Sequence, residues 1–556
     1  MIEPVAKDQR KLSYYIFEKI PPIIFISILV IFLVGGFWFP EIISYFIILI
    51  NIYFIYRSAS VALFFAIAYY RIRQAELKDW RGKLESFKNK ANFIQLLTTD
   101  LEKIISSKFT KFNSKQPSWL QKYMFTREKT KMTKFLKSEI KNTIAADQLK
   151  PWNDIQHIVI IPHVKEPEHI LRETLENLKK QTFPLQQINI VLAAEARDEN
   201  GYPLSIKLAA EFKDSFNHIW ISNHILKDEE IVGKSSNMKA GGQLAFEEVT
   251  KLGWDLKKVL VTSCDADSKL PPQYLSYVTY EFITLAESEY KFFNASIVFY
   301  NNIWRLPFYA RVKNSMSSLF IAARLIRVDK LIPFSTYTTS FWLIKEIGFW
   351  TPWVTPEDFH LFFKAQFKFG HRVSVIPIFL RIMSDAAEGT GHLDTIKNNY
   401  QQERRWAWGI SDDGWVLQNV VHDFFKHDFI TIYRALHAIF DHVFGPLIGI
   451  VIIIGGNLPP LLNPQFRNTV LGAQLPIVSS TIISSSLFFL IILIILDLSY
   501  KPKRNDKNWI YNLPIQIIEW VTLPWAGFIL TVLPGIEANT RLLFGRYLEY
   551  YVTKKK

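Results

Sequence analysis

The sequence predicts an α/β domain with a mostly parallel sheet, set between apolar helices at both ends of the chain. Three observations predict it. From residue 155 onward, short apolar runs alternate with amphipathic stretches. Long apolar segments flank that block, two before it and three after it. The basic residues gather at particular ends of those segments rather than evenly along the chain.

The first two segments are "IPPIIFISILVIFLVGGFWF" (20–39) and "IISYFIILINIYFIYRSASVALFFAIAYY" (42–70), the second broken only by Arg57. Both reach the roughly 20 apolar residues that a membrane helix needs. No small-residue cleavage site follows the first run, so it reads as an anchor and not a signal peptide. The other three are 439–462, 476–498 and 513–535. Pro514, Pro524 and Pro534 interrupt the last, which leaves a single crossing and a re-entrant path both open.

Orientation follows from the cations. Lys7, Arg10, Lys11 and Lys19 precede the first span, and Arg71, Arg73 and Lys78 follow the second. The link at Pro40 and Glu41 has neither Lys nor Arg. The positive-inside rule therefore puts the N-terminus, and residues 71 to about 430, in the cytosol. The basic link "SYKPKRNDKN" (499–508) agrees, whereas the basic tail conflicts with a single fifth crossing. The expectation is a multi-pass protein of the plasma (inner) membrane. Its parts are 1–70 (N-terminus and two spans), 71–150 (basic membrane-proximal helices), 151–425 (the α/β domain) and 426–556 (an interfacial helix and about three transmembrane or re-entrant segments).

Of the +14 net charge, +11 falls in residues 71–150, which hold 19 Lys/Arg against 8 Asp/Glu. Leu84, Phe87, Phe93, Ile94, Leu97, Leu101, Ile104 and Ile105 recur there at helical spacing. Helices lying along anionic membrane lipids account for both features. No nucleic-acid recognition motif accompanies the charge, so nucleic acid is not an expected partner. The one cysteine, Cys264, excludes a disulfide framework or a zinc site of several thiolates.

Within the α/β block, "IQHIVIIPH", "INIVLAAE", "HIWISNH" and "KVLVTS" read as strands, with helices such as 166–181 between them. Ligands of such sheets sit at the carboxyl ends of the strands. Those ends read Pro162-His163, Glu195 to Asp198, and Asp265 to Asp267. Two carboxylates one residue apart can meet one hard cation, Mg²⁺ or Mn²⁺, together with substrate phosphates. They can equally close a strand with a polar turn. Around them stand "GKSSNMKAGGQLAF" (233–246), with Lys234 and Asn237 ahead of a helix, and the hydroxyl-rich "PFSTYTTS" (333–340). "TPED" (355–358) opens a helix with Glu357 and Asp358, where the dipole favours acidic residues. "QQERRWAW" (401–408) brings Gln402, Arg405 and Trp406 just ahead of the membrane, where aromatic belts also occur.

These motifs, in this order, resemble glycosyltransferase family 2 in its membrane-embedded branch with cellulose and hyaluronan synthases. The resemblance covers roughly 155–410 and the flanking spans. "DAD" is similar to the family's D-x-D, "TPED" to its T-E-D with a proline inserted, and "QERRW" to its Q-x-x-R-W. It implies a GT-A-like nucleotide-sugar-binding domain and an inverting transfer. Asp265 and Asp267 would contact metal and diphosphate, with Asp267 the direct ligand. Glu195 would lie near the base, and Lys234 and Asn237 along the nucleotide. Asp358, at the last letter of the motif, would be the general base, with Glu357 beside it. Arg405 would steady the leaving diphosphate, Trp406 would stack on the acceptor sugar, and Gln402 would bind substrate. Thr338, Thr339 and Ser340 would line the acceptor site. The F-x-V-T-x-K gating loop of cellulose synthases is absent after Trp406.

The function expected is extension of a polysaccharide or glycan from a nucleotide-diphosphate sugar at the cytosolic face. One addition to a lipid carrier or short glycan is the alternative within the same chemistry. A nucleotide-binding receptor or transporter is the alternative outside it, and such a module needs no base.

Overall fold

In the computed structural model, residues 2, 4, 9–86, 151–504 and 513–548 are described. The α/β domain is built on a seven-stranded sheet, mostly parallel, in the order β3-β2-β1-β4-β6-β5-β7. The strands are β1 (Gln156–His163), β2 (Ile188–Glu195), β3 (His218–His224), β4 (Val259–Ser263), β5 (Lys291–Val298), β6 (Tyr337–Ser340) and β7 (Ser374–Met383). β1, β2 and β4 are buried on both faces almost throughout, as strands of a sheet covered on both sides are.

One strand breaks the parallel rule. β6 runs antiparallel to both β4 and β5, with Tyr337 opposite Ser263. Its amino end therefore lies at the carboxyl end of β4. Residues just before β6 face the Asp265–Asp267 turn, and β6 itself leads away from it.

The helix Lys234–Lys251 packs onto the sheet through glycines. A Cβ on Gly241 would come 3.1 Å from the side chains of Ala193 and Ile160, and one on Gly242 would come 2.8 Å from Trp350. Gly241 thus allows close helix–sheet packing, and Gly242 leaves room for the Trp350 ring.

Among the described residues, five helical segments are long and apolar enough to cross a membrane: Leu12–Trp38, Pro40–Glu76, Phe429–Leu462, Val470–Tyr500 and Leu513–Leu543. The last four each contain one of the apolar runs read from the sequence and extend beyond it, and the first covers its run up to Trp38. The second and fourth are tied to the sheet edge. Glu76 accepts a forked pair from Arg381 of β7, at 2.6 and 3.1 Å. Tyr300, just after β5, donates to Asp497 at 2.9 Å.

The fifth segment is irregular, with a 3-10 turn at Glu519–Thr522 and a π turn at Phe528–Val532. Both of its ends meet helices of the α/β domain. Glu519 pairs with Arg311, and Glu537 accepts from Tyr400 at 2.7 Å and Arg404 at 2.9 Å.

The expected surface helices of 71–150 lie mostly outside the described residues, with Phe87, Phe93, Ile94, Leu97, Leu101, Ile104 and Ile105 among those not described. The part that is described corrects the expectation. In the short helix Trp80–Ser86, Leu84 is fully buried and Trp80 stacks on Tyr277 at 3.6 Å. This turn packs on the α/β domain and not on lipid, because its indole and leucine find an apolar partner in the helix Tyr274–Thr284.

Candidate active site

The turn after β4 and the loop before β6 meet at Ser335. Its backbone N–H donates to Asp358 Oδ2 at 2.7 Å, its hydroxyl donates to Asp265 Oδ2, and its carbonyl accepts from Lys234 Nζ at 3.0 Å. Ser335 holds φ at 58°, in the left-handed region that a serine rarely adopts. Such a backbone persists when its surroundings over-determine it, and here three side chains do so.

Lys234 is the charge at the centre. Its ammonium lies 2.7 Å from Asp265 Oδ1 and 2.8 Å from Glu357 Oε1. Burial works against that charge, but Asp265, Glu357 and Asp358 outweigh it and hold Lys234 protonated well above the ordinary lysine range. Asp358 opens the helix Glu357–Phe369, and its second oxygen accepts from the Phe359 N–H at 2.8 Å. Two backbone donors thus fix its carboxylate.

Glu357 behaves differently. Burial, its largest influence, and the neighbouring Asp358 push its carboxyl up to about 7, although Lys234 pulls the other way. A carboxyl raised on folding favours the protonated native state. Its contribution is complete below the unfolded value near 4.5 and is lost as pH rises through about 7. Glu357→Gln should therefore flatten the dependence of thermal stability on pH between about 4.5 and 7. A melting series across that range checks it, and an unchanged slope in the variant excludes Glu357 as the titrating group.

Asp267 is buried, and its Oδ2 accepts from the Asp385 N–H at 2.9 Å. Asn301 donates to its carbonyl at 3.3 Å. Among the described residues no group of three or more His, Cys, Asp or Glu side chains could hold a metal ion. The donors nonetheless fit one kind of cation. Asp265 and Asp267 are hard oxygen ligands, and an ammonium already meets Asp265 where a cation could. One or two carboxylates suit Mg²⁺ or Mn²⁺ when phosphates complete the shell.

The helix His392–Ala407 carries the third motif. Gln402 is buried. Trp406 is 39% exposed, lies 5.4 Å from the Phe299 ring and has Lys313 Nζ 4.9 Å above it. Phe299 and Asn301 belong to one short stretch after β5, so this stretch touches both Trp406 and Asp267. Arg405 is half-buried on the same helix. Its neighbour Arg404 faces Glu537.

The remaining expected residues are placed as follows. Glu195 ends β2, buried and paired with Arg197, with Oε2 unpartnered among the described residues. Asn237 is buried in the first turn of the Lys234 helix, its Oδ1 unpartnered among the described residues. Thr338, Thr339 and Ser340 do not reach the cluster. All three are fully buried in β6. Thr338 bonds to Thr262 at 2.8 Å, Thr339 donates to the Lys291 carbonyl at 2.9 Å, and Ser340 donates to the Glu289 carbonyl at 2.6 Å. Because β6 is antiparallel, the hydroxyls that face the site precede it, at Ser335 and Thr336. Thr336 Oγ1 accepts from the Asp265 N–H at 3.3 Å. The signal was available in "PFSTYTTS": the site lies in the turn after the proline, and the alternating residues form the strand.

Such a fold, with an acidic turn after the fourth strand and a carboxylate at a helix start facing it, has GT-A-like architecture. Residues 260–532 match the family model described as glycosyl transferase family group 2. That match spans just under half of the chain and supports a glycosyltransferase family 2 domain within it. No curated protein sequence matches the chain. Among solved structures, it is similar to a mannosyltransferase, PcManGT from Pyrobaculum calidifontis, in complex with GDP-Man and Mn²⁺. The identity is 14%, over 66% of this chain and 97% of that one, with a TM-score of 0.38. It is also similar to S. aureus TarS 1-349 in complex with UDP-GlcNAc, at 16% identity over 63% and 94%, with a TM-score of 0.29.

Proposed function

We propose that this chain is an inverting glycosyltransferase that extends a polysaccharide or glycan from a nucleotide-diphosphate sugar at the cytosolic membrane face. The observation that carries the reading is the meeting of Asp265, Lys234 and Asp358 on Ser335, which joins the expected donor end of the site to the expected base. Asp358, fixed by two N–H groups, takes the proton from the acceptor hydroxyl as that oxygen attacks the anomeric carbon from the side opposite the diphosphate. Charge leaves with the diphosphate, and Arg405 and Lys234 offset it. Asp267, with Asp265, would hold Mg²⁺ or Mn²⁺, which when bound supplies further charge neutralisation on the leaving phosphates. Glu195 and Asn237 serve the nucleotide, and Gln402 and Trp406 the acceptor. Purified protein incubated with a panel of nucleotide sugars, acceptors and Mn²⁺ should release nucleotide. Silence across the panel from folded protein would remove the reading and favour a binding module.

A specific observation favours single addition as the second reading. The stretch after Trp406 is not a free loop. Its helix Asp413–His422 packs on the first span, where a Cβ on Gly414 would fall 2.5 Å from Glu18 Cα. Product length on a gel separates one addition, to a lipid carrier or short glycan, from many.

For topology, the fifth segment reads as re-entrant. Arg311 and Arg404 stand on the α/β side, and each holds one of its ends. The basic tail then stays on the side of the other basic links. A cysteine replacing Phe39 should be labelled from outside intact cells, and one replacing Lys213, exposed on the α/β domain, should not. The reverse pattern would invert the orientation.

A further inference from the structure

Arg57 is the one charge that interrupts the second span, and the proposed chemistry gives it no task. It lies 17 residues after Pro40, about 25 Å along a helix, close to the full thickness of the hydrocarbon core. That places it at the membrane boundary nearest the α/β domain.

Other cations are near: Arg57 and Arg327 both act on Lys330, and Arg324, Arg327 and Lys330 all act on His437 of the third span. Arg324 ends the helix Phe308–Arg324, and Arg327 and Lys330 follow it. Lys330 is half-buried, and burial first, then Arg327 and Arg57, lower its hold on a proton. Arg327 is spent on Asp329, at 2.9 and 2.7 Å. Arg57, Arg324 and Lys330 have no carboxylate within ion-pair distance among the described residues. Asp329 and Asp441 are the carboxylates that act on Lys330, and counting them against the four cations leaves a surplus of +2.

An aromatic ladder starts at this cluster. Lys330 Nζ stands 5.9 Å over the Tyr433 ring, and Tyr433 donates to Asp329 at 3.4 Å. Along one face of the third span, Tyr433 stacks on His437 (6.0 Å, 9°), His437 on Phe440 (6.4 Å, 21°) and Phe440 on Phe444 (4.4 Å, 17°). The rings are half-buried. They lead from the cations toward the apolar middle of the span.

We propose that this cleft, between the second and third spans at their α/β-domain end, binds one anionic lipid. Its phosphate sits among Arg57, Arg324 and Lys330, and an acyl chain lies along the rings from Tyr433 to Phe444. The charge surplus selects an anion. The ladder, which a free phosphate would leave unused, selects a lipid.

The full-length protein, stripped in neutral detergent and offered equal phosphatidylglycerol and phosphatidylcholine, should retain one phosphatidylglycerol in native mass spectrometry. Each cation beside an anionic headgroup is worth about fivefold in affinity, so Arg57→Gln with Lys330→Gln should lose about 25-fold. Arg324→Gln alone, at an exposed position, should lose about fivefold and serves if the double variant fails to fold. Equal retention of the two lipids by the parent, or undiminished retention by folded variants, overturns the site. Displacement of the lipid by equimolar inorganic phosphate overturns its assignment to a lipid.

Discussion

Asp358→Asn should lower turnover by about 10²–10⁴-fold, the usual cost of removing a general base, while the nucleotide sugar still binds with near-normal affinity. Asparagine keeps the size of the side chain. Its carbonyl oxygen can still accept from the Ser335 or the Phe359 N–H, so the loop before β6 has a reason to stay in place. What the amide cannot do is take a proton from an attacking hydroxyl. The defect should therefore persist at saturating acceptor. Trp406→Ala offers the contrast. Its ring is 39% exposed, and losing it removes a stacking face but no proton acceptor. Its defect should shrink as acceptor concentration rises. If Asp358 were only a helix-start charge, the variant would lose thermal stability while the folded fraction kept its specific activity. Turnover per folded molecule, at saturating donor and varied acceptor, decides this, and an Asp358→Asn protein within threefold of the parent removes Asp358 from the mechanism.

The fold was legible wherever a local pattern carries it. Apolar runs that end in Glu195 and in Asp265 to Asp267 became β2 and β4, and the five apolar segments became the five long helices. What escaped was decided by strand direction. Read alone, "YTTS" is a strand of hydroxyl residues, and nothing local says which way it runs. Once β6 is antiparallel, its hydroxyls belong to the sheet and Ser335 to the site. Leu84 escaped for a related reason. Helical spacing shows that a face is apolar, not whether lipid or protein covers it. The tie between Glu537 and the Trp406 helix spans more than 130 positions and leaves no trace in either segment.

The pair after β4 should divide its work unequally. Both Asp265 oxygens are engaged by this chain's own groups, Lys234 and Ser335. Asp267 Oδ2 takes the backbone N–H of Asp385 at 2.9 Å. A divalent cation arriving with a diphosphate would have to compete with the Lys234 ammonium at Asp265. Asp267→Asn should then lower turnover by about 10²–10³-fold, the scale of losing one charge-stabilising group. The amide oxygen can keep the bond from Asp385, so folding should survive. Raising Mn²⁺ should restore part of the activity, because the weakened step is capture of the ion and not the transfer itself. Asp265→Asn should respond less to added metal, since it chiefly releases Lys234 toward Glu357. Titrating Mn²⁺ against both variants at saturating donor separates the two roles. Full turnover of the parent in excess chelator would remove the cation from the proposal and leave Asp265 and Asp267 as a polar turn that closes β4.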